Sequence, residues 1–293
     1  MDSKSGMRLF LLIALTMTAF AANSVLNRMA VAGGTIDDVT FGSVRLLAGA
    51  VMLGALCVLL RGGIRLRGPG RLAGVLSLLV YIYGFSGAYR GLDAGLGALI
   101  LFGVVQITMF AGGIIAREAM PGRRWLGAGL AIGGLAWLLW PGAGPNVSAL
   151  HGFLMAAAGV GWGIYSLTGR KTGDALTATA ANFIWAAPLG VALGLVLPAG
   201  SQGMIASADG VLLAILSGAV TSGLGYALWY TVLPRLPASV AAVAQLTVPV
   251  IAMGGGMIFL AESLSLEFIA ASAVVLGGVA ISILPLHRIR AAR

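Results

Sequence analysis

The chain has 293 residues, of which 59% are hydrophobic and only 9% are charged, and its mean hydropathy is +1.00. Soluble domains usually carry about a quarter of charged residues, so this composition excludes an ordinary soluble protein. The net charge of +9 would suit a nucleic-acid partner, but the positions of the charges argue against one. The lone Cys57 cannot form an intrachain disulfide.

Ten apolar segments follow one another along the chain, most of them close to the ~20 residues that a helix needs to cross a bilayer. They cover roughly residues 9–29, 41–60, 72–89, 92–116, 125–140, 150–168, 176–198, 210–232, 236–260 and 266–285. The apolar runs are continuous rather than alternating, which favours helices over strands. The sequence therefore predicts an all-α integral membrane protein with ten transmembrane helices.

The first segment has two interpretations. Lys4 and Arg8 precede a short apolar stretch and Ala19-Phe20-Ala21, a pattern that also resembles a secretory signal with its cleavage site. The internal repeat described below includes this segment, which favours a helix that stays in the protein.

The basic residues are distributed unevenly between the two sides of these segments. If the N-terminus is cytoplasmic and the spans alternate, only Arg28 and Arg90 fall outside, and Arg45 stays within a span. The other basic residues then lie inside: Lys4, Arg8, Arg61, Arg65, Arg67, Arg71, Arg117, Arg123, Arg124, Arg170, Lys171, Arg235, Arg288, Arg290 and Arg293. This positive-inside pattern predicts a multi-pass membrane protein with both termini in the cytoplasm, and the family resemblance given below implies the bacterial inner membrane. It also explains the basic charge without nucleic acid.

The two halves of the chain are related in sequence. A shift of 144 residues places Glu262 on Glu118, and the surrounding apolar and glycine positions match without a gap. A shift of 142 residues places Trp162 on Phe20, so the first segment belongs to the repeated unit. An internal repeat of this kind indicates that the fold is built from duplicated units.

The repeat predicts two five-helix units, residues 1–145 and 146–293. Because five is odd, the second unit enters the membrane from the opposite side, and the two units are inverted repeats. Inverted repeats related by a pseudo-two-fold axis in the membrane plane are a transporter architecture, with the substrate near the midplane. A duplication that only built a stable helical bundle is the alternative.

The stretch from Leu236 to Ile281 resembles the last two helices of the drug/metabolite transporter superfamily, EamA type. The resemblance rests on Leu236-Pro237, a mid-helix Pro249, Leu260-x-Glu262 and a closing Gly277-Gly278. Two further stretches resemble the second and eighth helices of the family: FGSVRLLAGA, which contains Arg45, and GYALWYTVL at 225–233.

This resemblance implies a carrier with ten helices. Because bacterial members of this size include exporters of amino acids, aromatic ones among them, it also implies an exporter of small amphipathic metabolites. Many members have a mid-helix proline in the fourth helix as well, whereas this chain has Val105-Gln106 there. The two halves are therefore not expected to bend equally.

Pro249 interrupts the predicted ninth helix near its middle. A proline removes one backbone hydrogen bond and leaves a carbonyl near Gln245 without a partner. Gln245 lies four residues earlier, on the same helix face. We predict a hinge at Pro249 and Gly254, with Gln245 as a polar contact for the substrate. A structural kink in which the amide satisfies itself is the alternative.

Five further residues are predicted to bind the substrate because they are polar or amphipathic and lie deep in apolar segments. An aromatic ring with a polar end can pack against a substrate and still form a hydrogen bond. For Asn23, hydrogen bonding between helices is an equal alternative to substrate binding. For a further amide, Asn182, we favour hydrogen bonding between helices. The five residues are Asn23, Tyr81, Trp162, Tyr165 and Tyr226.

Arg45 is the one charge well inside a segment. Its long side chain could extend to the outer interface, where Asp37 and Asp38 are expected. Alternatively, it is a transient partner for the carboxylate of a substrate.

The acidic residues all lie at helix ends or in loops, Glu118 and Glu262 included. Since no carboxylate is placed at mid-membrane to carry a proton, we expect facilitated flux by alternating access. No nucleophile, metal or phosphate motif is present, so we expect neither an enzyme nor a cofactor. The expected partners are lipid and a small-molecule substrate, for a monomer or weak dimer. A non-transporting scaffold or sensor, or a carrier of drugs or other metabolites, is the alternative.

Overall fold

A computed structural model describes residues 3–118, 121–140, 148–169, 173–196, 204–236 and 244–283. Over these ranges the chain is helical, without a β-strand, and Ile36 and Ala206 form an isolated antiparallel bridge. The prediction of an all-α protein is confirmed for this part of the chain. The predicted boundary between the two units at residue 145, Pro237 of the family motif, and the basic pair Arg170-Lys171 lie outside the described residues.

The helices follow in chain order with short connections. They are α1 (Ser3–Ala32), α2 (Asp38–Arg61), α3 (Arg71–Ala88), α4 (Ala94–Ile115), α5 (Gly122–Leu139), α6 (Ala149–Gly169), α7 (Ala175–Val196), α8 (Ala208–Val232), α9 (Thr247–Leu260) and α10 (Leu266–Ile283). A single turn of 3₁₀-helix, Leu233–Arg235, follows α8.

Seven of these helices are long and apolar enough to cross a membrane, namely α1 to α4 and α6 to α8. The apolar helices α9 and α10 are shorter in the part of the chain that is described. Helix α5 begins with Arg123 and Arg124, which lower the hydropathy of its 18 residues. The protein is therefore a multi-pass membrane protein, and the number of ten spans stays a prediction.

Two aspartates start the second helix of each predicted unit in the same way. The Asp37 carboxylate accepts a hydrogen bond from the backbone N–H of Thr40 at 2.8 Å, at the start of α2. The Asp174 carboxylate accepts one from the backbone N–H of Thr177 at 3.3 Å, at the start of α7. Such side-chain caps satisfy N–H groups that have no partner within the helix. The repeated Asp-x-x-Thr pattern thus fixes where both helices begin.

The helices pack in pairs that join the two ends of the sequence. Helix α1 packs against α8 and α9, whereas α6 packs against α3 and α4. Helix α2 packs against α7 and α8, and α3 also contacts α7. Three pairs join helices five places apart in the chain: α2 with α7, α4 with α9, and α5 with α10. The early and late helices therefore form one bundle with a shared core.

Helix α8 changes its hydrogen-bonding pattern halfway along its length. It is α-helical over Ala208–Ile215 and Gly225–Val232, and π-helical over Leu216–Leu224 between them. A Cβ atom on Gly218 would overlap with the backbone carbonyl oxygen of Arg45, so the absence of a side chain there lets α8 approach the backbone of α2. π-Helical turns are rare and often occur at functional sites.

The ninth predicted segment is interrupted three residues before Pro249. Gln245 is helical, Leu246 forms a turn with right-handed helical backbone angles (φ −67°, ψ −16°), and α9 is assigned from Thr247. Because a proline cannot donate to the carbonyl four residues earlier, here that of Gln245, it interrupts a helix at this place. The backbone agrees with the predicted kink, and a hinge at Pro249 and Gly254 stays a prediction. Helix α9 includes Gly254.

Candidate functional site

Arg45 is fully buried in the helical bundle. Its Nε donates a hydrogen bond to Ser222 Oγ at 3.2 Å, and its Nη2 donates one to the Tyr81 hydroxyl at 3.0 Å. Its Cζ also lies 5.0 Å from the ring centroid of Phe85, which adds a cation–π contact. The interpretation that Arg45 extends to the interface is therefore wrong, because neighbouring helices supply its partners inside the bundle.

The two aspartates expected beside Arg45 have other partners. Asp37 caps α2, and the Asp38 carboxylate lies 3.9 Å from Nη1 of Arg90. Over the described ranges, no carboxylate forms an ion pair with Arg45. Its Nη1 has no hydrogen-bond partner. A buried charge without a counter-ion is costly in a membrane protein, so this position is suited to a ligand that brings negative charge.

Asn23 of α1 is the centre of a buried polar cluster. Its Oδ1 accepts hydrogen bonds from Ser217 Oγ at 2.8 Å, Thr221 Oγ1 at 2.6 Å and Ser222 Oγ at 3.4 Å. All three hydroxyl groups lie on the π-helical stretch of α8. Because Ser222 also accepts from Arg45, the polar contacts run from α1 through α8 to α2. This geometry agrees with hydrogen bonding between helices for Asn23.

The four aromatic residues predicted to bind substrate lie in contact with one another. The ring centroid of Trp162 is 4.9 Å from that of Tyr81, 5.3 Å from that of Tyr165 and 5.2 Å from that of Tyr226. Phe20 of α1 closes the group, 5.7 Å from Tyr226. We call these five residues the aromatic cluster. It joins helices α1, α3, α6 and α8, and it contacts Arg45 through Tyr81.

A small cavity of about 20 Å³ lies next to Tyr165. The Tyr165 hydroxyl donates to Thr179 Oγ1 at 3.0 Å, and that hydroxyl donates to the Tyr230 hydroxyl at 3.0 Å. Arg71 Nη1 donates to Asn182 Oδ1 at 2.6 Å on the same cavity wall. Asn182 therefore joins α3 to α7, in agreement with the role favoured from the sequence. We call this end of the bundle the Arg61 end, after the Arg61–Asp174 ion pair at 3.0 Å.

A larger cavity of about 180 Å³ lies at the opposite end, which we call the Arg28 end. Its wall includes Asp93 and Glu262. Both oxygens of Glu262 accept from the backbone N–H of Ala94, at 3.0 and 2.9 Å, and Arg28 Nε lies 3.4 Å from Oε1. Burial raises the pKa of the Glu262 carboxyl, and the hydrogen bond from Ala94 and the charge of Arg28 counteract this only in part.

The predicted hinge residues lie elsewhere in the bundle. Pro249 and Gly254 are on α9, which packs against α1 and α4. Gln245 is half-buried just before the turn at Leu246. The neighbouring Gly255 and Gly256 allow close approach, because Cβ atoms there would lie 2.7 Å from Val25 and 3.3 Å from Ala94 respectively. A hinge in this region and a substrate contact at Gln245 stay predictions.

The sequence did not single out several polar residues of this region. Ser217 and Thr221 lie four residues apart and would share a face of any α-helix, whereas Ser222 comes to the same side because this stretch of α8 is π-helical. Asn27 is also fully buried, and its Nδ2 donates to Ser86 Oγ at 3.1 Å. The sequence could have indicated Asn27 as a polar neighbour of Asn23, since it lies four residues later and therefore on the same face of α1.

Three comparisons relate this chain to known proteins. A model of the EamA-like transporter family matches residues 150–284. An uncharacterized protein of Pseudomonas aeruginosa is 45% identical over 280 residues, which cover 95% of each chain. A crystal structure of a protein that is 17% identical superposes on this chain with a TM-score of 0.66. The superposition covers 93% of this chain and 98% of the other chain, and at this identity it shows a likeness of fold alone. The chain belongs to the EamA-like transporter family of the drug/metabolite transporter superfamily.

Proposed function

We propose that this protein exports small amphipathic metabolites, amino acids including aromatic ones, by alternating access. The observation that carries the proposal is the buried Arg45, which has no carboxylate of the described residues beside it and contacts the aromatic cluster through Tyr81. A guanidinium suits a carboxylate, and stacked aromatic rings suit an apolar side chain. Helices from both halves of the chain contribute to this region, as a site between two moving halves requires.

The packing of the helices supports two inverted five-helix units, residues 1–145 and 146–293. If every helix is exchanged with the one five places away, the pair α3–α6 becomes α8–α1, and α4–α6 becomes α9–α1. The pair α2–α8 likewise becomes α7–α3. Each of these pairs is in contact. This symmetry is what a pseudo-two-fold axis relating ten spans would produce.

The proposed orientation places the Arg61 end in the cytoplasm together with both termini, in the bacterial inner membrane. Reporter fusions after Arg67 and after Asn146, which lies outside the described residues, test it. The first fusion should report the cytoplasm and the second the outside. The opposite pattern would overturn both the orientation and the inverted repeat.

Solute flux in proteoliposomes tests the proposed transport. The purified protein should carry at least one amino acid from an aromatic and aliphatic panel. Trp162→Ala and Tyr226→Ala should reduce that flux by roughly tenfold or more, because each removes a ring from the aromatic cluster. Trp137→Ala is the matched control, since Trp137 is an exposed tryptophan on α5. Folded protein without flux for any solute would favour the alternative of a scaffold or sensor, and flux of other solutes alone a carrier of drugs or other metabolites.

The proposed flux is facilitated rather than proton-driven. A zwitterion moves no net charge, so the membrane potential does little work on it. An imposed pH gradient should therefore leave the flux nearly unchanged. Uphill accumulation that needs the gradient and disappears in Glu118→Gln or Glu262→Gln would show instead that a carboxylate at a helix end carries the proton.

A further inference from the structure

Two buried polar atoms have opposite hydrogen-bonding character and no hydrogen-bond partner among the described residues. Arg45 Nη1 is a donor, and Asn27 Oδ1 is an acceptor. Both side chains are fully buried. Buried polar groups are nearly always paired, and leaving one unpaired costs about 1–3 kcal/mol. Of the described buried side-chain atoms without a partner, these two lie on helices that contact one another, whereas His151 Nδ1 and Ser272 Oγ lie on α6 and α10.

The contacts of the two residues place both atoms in the same region, between α1, α2, α3 and α8. Arg45 is linked through Ser222 to Asn23, and Asn27 lies one helical turn after Asn23 on the same face of α1. Asn27 also bonds to Ser86, the neighbour in sequence of the Phe85 ring against which Arg45 lies. The unpaired donor and the unpaired acceptor therefore belong to one polar region.

We infer that Arg45 and Asn27 form a two-point recognition site for the carboxylate and the ammonium group of an α-amino acid. This inference rests on the proposed function and assigns its substrate contacts. The carboxylate accepts a hydrogen bond from Nη1 of Arg45 and supplies the negative charge that no carboxylate in the described part of the chain provides there. The ammonium group donates to Oδ1 of Asn27. Both unpaired atoms gain a partner in one binding event.

Molecules with only one of the two groups fit this site less well. An amine without a carboxylate leaves Arg45 without a counter-ion and adds a second positive charge near it. A carboxylic acid without an amino group neutralises Arg45 but leaves Asn27 Oδ1 unpaired. A site that hydrogen-bonds a substrate group rejects analogues that lack the group, because its own buried polar atoms then stay unpaired. The site therefore predicts discrimination at both positions.

Binding to the purified full-length protein in detergent tests this inference without any need for transport. The probes are L-phenylalanine, phenethylamine, which lacks the carboxylate, and hydrocinnamate, which lacks the ammonium group. Tryptophan fluorescence and thermal unfolding report binding. The set L-leucine, isoamylamine and isocaproate repeats the comparison for an aliphatic side chain. In at least one set the wild-type protein should bind the amino acid roughly tenfold or more tightly than either analogue.

Variants separate the two contacts. Arg45→Gln should reduce the preference for the amino acid over the amine to about one, and Asn27→Leu should do the same for the preference over the acid. Arg61→Gln is the control, since it removes an exposed arginine of the same helix and should leave both ratios unchanged. If Arg45→Gln does not fold, Arg45→Lys keeps the charge and should weaken discrimination of the carboxylate. Asn27→Asp adds a carboxylate of nearly the same shape and should favour the amine.

The outcomes distinguish this inference from the proposed function. Binding that discriminates in this way, without flux in liposomes, supports the two-point site and overturns the transport role. Flux with equal affinity for the amino acid and both analogues, or with ratios that neither variant changes, overturns the two-point site alone. Absence of amino-acid binding in both sets of probes also overturns the two-point site.

Discussion

The two ends of the bundle are held by the same residue types in different surroundings. At the Arg28 end, Arg28 pairs with Asp93 and Glu262 and donates to the carbonyl oxygen of Tyr89 at 3.1 Å, and the Arg28 and Glu262 side chains are only 21% and 11% exposed. At the Arg61 end, the partners of the ion pair, Arg61 and Asp174, are 50% and 39% exposed. Exposed ion pairs contribute little, whereas a buried charge that loses its partner is costly. The Arg28 end should therefore resist opening more strongly than the Arg61 end.

Arg28→Gln should have the largest effect on stability. It removes the cation beside a mostly buried carboxylate, which should cost about 2–3 kcal/mol in detergent at neutral pH. The matched change, Arg61→Gln, should cost less than about 1 kcal/mol. Thermal unfolding of the two variants measures the difference. Equal losses would show that burial does not distinguish the two ends.

A second substitution should restore part of that stability. In the Arg28→Gln background, Glu262→Gln removes the uncompensated charge but can still accept from the N–H of Ala94, so it should recover at least about 1 kcal/mol. The same double-mutant cycle with Arg61→Gln and Asp174→Asn should show little coupling. If Glu262→Gln lowers the stability of the Arg28→Gln variant further, the Arg28 end depends on hydrogen bonds rather than on charge compensation.

The aspartates that cap α2 and α7 allow a comparison with smaller effects. Asp37→Ala and Asp174→Ala should each cost about 1 kcal/mol, because each removes a helix cap. Asp37 should cost somewhat more, since its second oxygen accepts from the backbone N–H of Ile205 at 3.2 Å, whereas the second oxygen of Asp174 pairs with the exposed Arg61, and exposed ion pairs contribute little. Thermal unfolding with Asp-to-Asn variants as partial controls tests this order. A larger loss at Asp174 would contradict it.

The dependence of stability on pH should have opposite signs at the two ends. Burial raises the pKa of Glu262 above its ordinary value of 4.5. Its contribution to the stability of the folded protein is therefore present below pH 4.5 and is lost as the pH rises through the folded-state pKa. Burial alone would raise the pKa of Asp174 too, but hydrogen bonds from Thr177 and Arg61 lower it below 3.8. The Asp174 contribution is therefore present above 3.8 and is lost as the pH falls through the folded-state pKa.

Unfolding temperatures across the acidic to neutral range test these signs. The unfolding temperature of the wild-type protein, relative to that of Glu262→Gln, should fall as the pH rises. The unfolding temperature of the wild-type protein, relative to that of Asp174→Asn, should rise with pH over the lower part of that range. Two differences that change in the same direction would contradict the assignment.

The features that the sequence predicted best depend on position along apolar segments. Tyr81, Trp162, Tyr165 and Tyr226 were selected for their depth, and depth together with the repeat was enough to bring them into one cluster. Arg45 was harder to place, because a single charge within a span is usually expected to extend its long side chain to the interface. Its partners Tyr81 and Ser222 come from other helices, and the sequence alone does not show their proximity.

The features that were missed depend on local backbone geometry. Hydrophobic periodicity assumes about 3.6 residues per turn, so it cannot show that Ser222 lies on the same side of α8 as Ser217 and Thr221. The turn at Leu246, by contrast, agrees with the sequence, because Pro249 cannot donate to the carbonyl of Gln245.

The π-helical stretch of α8 has a consequence for the length of this segment. A π-helical turn closes with i→i+5 bonds and therefore holds one residue more than an α-helical turn. Deleting one residue between Leu216 and Leu224 should return a turn of this stretch to α-helical bonding. The helix after the stretch, and with it Tyr226, could then keep its orientation, whereas the grouping of the hydroxyl groups around Asn23 would change. The extra residue of the stretch therefore matters for the polar cluster rather than for the position of the aromatic ring.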